Sequence, residues 1–147
     1  MKKFIKNLKV IDRVMQFELD QIQLELGQLQ SDVDQISRNL QAHQSQQQQE
    51  RAWITGNPEY GMTFNSYEQW AQQSIHEMST SMDEINQQID ELHDILVEKF
   101  QDSKKINQTL TTAKSTLKMQ QSKEEQKVLD QLSELRFHLN KLKLKEK

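Results

Sequence analysis

The sequence predicts an all-α protein: a long antiparallel two-helix coiled-coil hairpin with a C-terminal helical overhang. Three observations carry that prediction. Apolar residues recur at spacings of three and four along most of the chain, the signature of a narrow helical seam. Helix breakers are scarce, with three glycines and one proline in 147 residues. The proline and two of the glycines fall together in Thr55-Gly56-Asn57-Pro58-Glu59-Tyr60-Gly61-Met62-Thr63, the one place where a helix arriving from either side must stop. At 34% hydrophobic and 28% charged residues the chain is too polar for an ordinary globular core, so a seam between helices is what remains.

Helix 1 is expected over about residues 2–54. Its seam runs through Phe4, Leu8, Ile11, Met15, Leu19, Ile22, Leu26, Leu29, Val33, Ile36 and Leu40, with one stutter near Met15. Beyond Leu40 the same phase continues through His43, Gln47 and Glu50 before Ile54. The end of this arm is therefore polar where its core belongs, and is expected to be loosely packed or reserved for a partner. Gly27 interrupts the pattern at a cost of roughly 1 kcal/mol against alanine, and the glutamine run at 46–49 reads as solvated coiled-coil surface.

The hinge spans 55–63. Gly56 is expected to take the left-handed conformation that ends a helix, and Asn57, preceding Pro58, is pushed out of the helical region. Helix 2 follows over about 64–143. Asn65 with Glu68 forms a capping-box-like start, with Ser66 and Gln69 as a shifted alternative. Phe64, Tyr67 and Trp70 open the arm, and its seam continues through Ile75, Met78, Met82, Ile85, Ile89, Leu92, Leu96, Ile106, Leu110, Ala113 and Leu117. The phase breaks across 120–126. A new stripe then runs through Val128, Leu132, Leu135, Leu139 and Leu142.

If Ile54 lies near Phe64, antiparallel pairing sets Phe17 near Phe100 and Met1 near Leu117. The paired part is then about 80 Å long, and the residues beyond Leu117 overhang by about 45 Å. An overhanging leucine stripe wants a partner surface or a second copy of itself. Charge divides along the same lines. Residues 1–13 are net +4, residues 118–147 net +3 and residues 14–117 net −10, so the two basic segments would meet at one end of an electrically polarised rod. Aromatics are polarised in the opposite sense: Trp53, Tyr60, Phe64, Tyr67 and Trp70 crowd the hinge, either closing the hairpin or forming a binding patch.

Several classes of function fall away. With no cysteine there are no disulfides or thiolate chemistry, and a reducing cytoplasm is the default. The basic start at Lys2, Lys3 and Lys6 resembles an export signal, but Lys9, Asp12 and Arg13 interrupt the apolar run that a signal or a membrane span needs, so a soluble protein is expected. His43, His76, His93 and His138 are scattered without metal-site spacing. Acidic pairs such as Asp32/Asp34, Asp83/Glu84 and Asp90/Glu91 read as solvated helix surface, and Gly56 to Gly61 lacks the Lys-Ser/Thr of a phosphate loop. Neither catalysis nor a cofactor or metal is expected. Nucleic-acid binding is disfavoured by the acidic shaft and an isoelectric point near 5.8.

One stretch carries a family resemblance. Glu125-Gln126-Lys127-Val128-Leu129-Asp130-Gln131-Leu132-Ser133-Glu134-Leu135-Arg136 resembles the C-terminal signature of the FliJ family of flagellar export stalk proteins, roughly Glu-Gln-Lys-x-x-Asp-Glu-x-Ala-x-x-Arg. Glu125, Gln126, Lys127, Asp130 and Arg136 match, and Gln131 and Ser133 depart. Tyr67-Glu68-Gln69-Trp70 looks like the family's Tyr-x-x-Phe start of the second helix, while Leu40, His43 and Gln47 replace its Leu-x-x-Tyr-x-x-x-Tyr. The resemblance implies a non-enzymatic stalk whose terminal end enters the hexameric ring of a cytoplasmic export ATPase at the inner-membrane export apparatus. It also implies contact with the transmembrane export gate and escort of export chaperones. On this sequence the ring contact would be Gln126, Lys127, Asp130, Leu132, Leu135, Arg136 and Leu139, and the gate contact Leu40, His43, Gln47 and Trp70. Three alternatives stay open: the stalk of a virulence type III injectisome, self-association through the overhang, and peripheral membrane attachment. The last would set Phe4, Ile5, Leu8, Ile11 and Met15 against lipid beneath Lys2, Lys3, Lys6 and Lys9.

Overall fold

The structure, a computed structural model, describes residues 1–146. Helix α1 spans Lys2–Gly56 (55 residues), a 3₁₀ turn spans Pro58–Tyr60, and α2 spans Gly61–Glu146 (86 residues). There is no strand among the described residues. Two long helices packed against each other through one short turn are what the breaker-poor sequence predicts.

The turn is tighter than the expected hinge. Asn57, at φ −138° and ψ 65°, is the only residue of the reversal outside helical geometry, as its place before Pro58 requires. Gly56 does not supply a left-handed cap, because no glycine has positive φ and Gly56 remains the last residue of α1. Asn57 ends the helix instead: its backbone N–H donates to Ile54 O (3.1 Å) and its Nδ2 to Trp53 O (2.9 Å), satisfying two terminal carbonyls. Tyr60 N–H then donates to Asn57 O (3.2 Å) and Gly61 N–H to Pro58 O, so the 3₁₀ turn runs directly into α2. Asn65 and Glu68 therefore lie inside α2 and form no capping box.

The chain divides into two units. The turn unit, Phe17–Phe100, is a helical hairpin. Leu19, Ile22 and Leu26 of α1 and Ala71 of α2 are its buried apolar residues. Lys99 Nζ meets Glu18 Oε2 at 2.9 Å, and Gln47 Nε2 donates to Glu68 Oε1 at 3.1 Å. In the terminal unit, Met1–Gln16 with Gln101–Lys147, Ile5 and Leu8 pack with Leu110 and Ala113, flanked by Ile106 and Leu117. Gln16 Nε2 donates to the buried Ser103 hydroxyl at 3.1 Å.

The stutter expected near Met15 is absent. Buried and half-buried positions along α1 include Ile5, Leu8, Asp12, Met15, Leu19, Ile22, Leu26, Leu29, Val33, Ile36, Leu40, His43, Gln47, Glu50 and Ile54, an unbroken alternation of three and four. Phe4 and Ile11 are exposed, and Asp12 takes the inward place. On α2 the spacing likewise selects Ala71 and Ser103 and leaves Trp70 outside. Backbone geometry, not residue polarity, fixes which side chains face inward.

Candidate functional site

Two surfaces hold the residues singled out by sequence. The first is the part of α2 beyond Leu117. Every residue from 118 to 145 is exposed, including Val128, Leu132, Leu135, Leu139 and Leu142. Leu129, Phe137 and Leu144 add apolar surface beside the stripe. Exposed apolar area of this extent on one helix stays uncovered only at a cost, which makes the strip a candidate contact surface. Leu132, Leu135 and Leu139 line one shallow groove together with Leu129, Ser133 and Arg136. Gln126 Nε2 donates to Asp130 Oδ1 at 3.0 Å one turn on, and Lys141 Nζ lies 5.8 Å from the Phe137 ring centroid. Lys127 and Arg136 are solvent-exposed along the same stretch.

The second surface surrounds the turn. His43 and Trp70 are brought together, with ring centroids 5.8 Å apart, and a chain of rings continues through Tyr67 (6.1 Å from Trp70) to Phe64 (6.3 Å from Tyr67). Trp70 is 56% exposed, whereas Leu40 and His43 are half-buried. Gln47 does not join them at the surface: it is 7% exposed and its amide is occupied by Glu68. Glu68 Oε1 also accepts from Arg51 Nε (2.7 Å) and pairs with Arg51 Nη2. Its Oε2 is buried without a hydrogen-bond partner among the described residues, as is Asp12 Oδ1. Partial burial, reinforced by the carboxylates of Glu50 and Glu68, raises the Tyr67 phenol above its ordinary value of 10.0.

Sequence reasoning missed the organising role of Glu68 and Arg51. Strict three–four counting from Ala71 and Ile75 back to Glu68 would have set that carboxylate on the seam opposite the polar end of α1. Charge also sorts by unit. The terminal unit carries sixteen Lys/Arg against seven Asp/Glu, net +9, and the turn unit three against fifteen, net −12.

Neither the family models, nor characterised proteins, nor solved structures give a match to this chain. Among the described residues no helix is long and apolar enough to cross a membrane, and no group of three or more His, Cys, Asp or Glu side chains is placed to hold a metal ion. The lipid-facing surface expected near the N-terminus is not available as drawn. Ile5 and Leu8 are core residues and Met15 is half-buried, leaving only Phe4 and Ile11 of that set exposed.

Proposed function

We propose that the chain is the central stalk of a flagellar type III export apparatus, an antiparallel coiled-coil hairpin that acts peripherally at the inner membrane without chemistry of its own. Its terminal end enters the ring of the export ATPase hexamer, and its turn surface, through Leu40, His43 and Trp70 braced by Gln47, meets the transmembrane export gate and serves chaperone escort. The observation that carries the reading is the exposed leucine stripe of α2, which lies in the same residues as the Glu125–Arg136 resemblance. Lys127, Arg136, Lys141, Lys143 and Lys145 accompany the stripe, and the whole terminal unit is basic, so the matching surface is apolar with an acidic rim.

Covering each leucine fully is worth roughly 1.5–3 kcal/mol, enough in sum to hold a helix within a ring. Leu132→Glu with Leu135→Glu should therefore abolish stimulation of the export ATPase while circular dichroism and thermal melting of the hairpin stay close to the unmodified protein. Removal of residues 122–147 should do the same. Full stimulation by either variant would overturn the proposal.

A further inference from the structure

A second site lies beside the turn. Glu50 and Trp53 from the end of α1, Tyr60 from the 3₁₀ turn, and Thr63, Phe64 and Tyr67 from the start of α2 line a cavity of about 280 Å³. We propose that this pocket binds one lysine or arginine side chain of a basic protein segment, held against the rings of Trp53, Tyr60 and Tyr67 with the Glu50 carboxylate as its counter-charge.

The chemistry of the lining selects a cation. Trp53 and Tyr60 are in tilted contact, with centroids 5.2 Å apart and planes inclined at 44°, and both rings line the cavity. Each remains 50% exposed, so both rings are accessible to a ligand. Aromatic faces are electron-rich, and an ammonium or guanidinium within about 6 Å of such a face is attracted, most strongly by tryptophan. Glu50, half-buried in the lining, adds a formal negative charge. The Tyr67 phenol beside it is raised above its ordinary value first by burial and then by the carboxylates of Glu50 and Glu68.

No cation of the turn itself fills the pocket. Arg51 is the only Lys or Arg between residues 39 and 98, and it is committed to Glu68. A volume of about 280 Å³ has room for one long side chain. Glu50, the Thr63 hydroxyl and the tyrosine hydroxyls are acceptors for N–H donors, which lysine and arginine carry and a quaternary ammonium lacks. The net charge of −12 on this unit steers a basic segment toward it. This inference stands whether or not the chain is an export stalk, since it uses none of the α2 residues beyond Leu117.

The test is an NMR titration of the full chain, following the Trp53 indole and Tyr60 ring signals against an end-blocked Gly-Ser-Arg-Ser-Gly peptide. Its isosteric citrulline counterpart and tetramethylammonium are the comparison probes. Saturable shifts at Trp53 and Tyr60 are expected with the arginine peptide, and binding about ten-fold weaker for the citrulline peptide and for Glu50→Gln or Trp53→Leu. Both substituted residues are at least partly solvent-exposed, so helicity and melting should hold. Equal binding of the citrulline peptide, or unchanged binding by Glu50→Gln, overturns the proposal. Tetramethylammonium binding tighter than the arginine peptide overturns it in favour of a quaternary ammonium ligand. An oligomer that Glu50→Gln dissociates overturns it in favour of a second copy of the chain.

Discussion

The terminal and turn units are built from the same two helices with the same heptad spacing, yet they treat apolar residues in opposite ways. In the terminal unit the leucines divide by position: Leu110 is 8% exposed within a packed cluster, while Leu132, on the same helix, is 56% exposed. In the turn unit the aliphatic seam is largely covered, and the exposed apolar area includes the aromatics Trp53, Tyr60 and Trp70. Polar residues occupy inward positions in both, but the terminal unit answers its buried Ser103 with a neutral amide, whereas the turn unit gathers Gln47 and Arg51 on a carboxylate. What decides burial is whether a second helix stands opposite. Packed and exposed leucines thus occupy separate stretches of one helix.

The largest expected effect tests that separation within one helix. Leu110→Ala removes side-chain volume from a packed cluster and should cost about 2–4 kcal/mol in denaturant unfolding. Leu132→Ala removes the same atoms from an exposed stripe, and should stay within about 0.5 kcal/mol. Equal losses would mean that the stripe is covered in the free protein, by a second copy or by bending of α2, and the contrast between the two leucines would collapse.

How much of this was legible in the sequence follows from the same physics. The all-helical hairpin, the single reversal at Pro58 and the end of the packed seam at Leu117 are set by breaker placement and apolar period, both of which are local. Three details differ between sequence pattern and structure because residue type and spacing point to different positions. Ile11 was preferred to Asp12 and Phe4 to Ile5, although an unbroken three–four count reaches Asp12 and Ile5. Trp70 was counted with the opening of the second seam because it is large, although the count reaches Ala71, which is 1% exposed. Glu68 was read as a cap because Asn65 precedes it by three, a pattern that cannot register a helix already begun at Gly61. The aromatic pocket was visible only as a cluster. Which rings meet depends on the 3₁₀ turn that carries Tyr60 toward Trp53, and the sequence does not specify that rotation.

A smaller effect sharpens the contrast between the two polar contacts. Glu68→Ala leaves the buried Gln47 amide without its acceptor and should destabilise the protein by about 1–3 kcal/mol. Ser103→Ala should cost less, about 1 kcal/mol or under, because the Gln16 amide it abandons is exposed and water replaces the lost partner. Gln47→Leu combined with Glu68→Leu should recover most of the loss, since an apolar pair at seam positions needs no hydrogen bond and removes the unpartnered Glu68 Oε2. If the double substitution is worse than Glu68→Ala alone, the polar pair fixes the register of the turn unit and not merely its stability. Urea unfolding of the three variants distinguishes these outcomes.

The smallest effect is confined to alkaline solution and to the turn unit. Tyr67 is partly desolvated and faces Glu50 from α1 and its neighbour Glu68 on α2, all of which disfavour phenolate and raise its folded pKa above 10.0. Folding therefore stabilises the protonated phenol. That contribution is complete below the unfolded value and is lost as pH rises through the folded one, because the unfolded chain releases its proton first. Other groups also contribute to stability at alkaline pH, so the informative quantity is a difference between variants. Thermal melts of the unmodified chain and of Tyr67→Phe should run parallel up to about pH 10, above which the unmodified chain should lose stability faster. The protein has two tyrosines, so Tyr60→Phe leaves Tyr67 as the sole phenol, and its phenolate absorbance should titrate above the ordinary tyrosine value. Adding Glu50→Gln should bring that midpoint down, which ties the shift to the same carboxylate that lines the aromatic pocket. A midpoint at the ordinary value, unmoved by Glu50→Gln, would mean that Tyr67 and Glu50 do not share an environment, and the pocket would lose one of its lining rings.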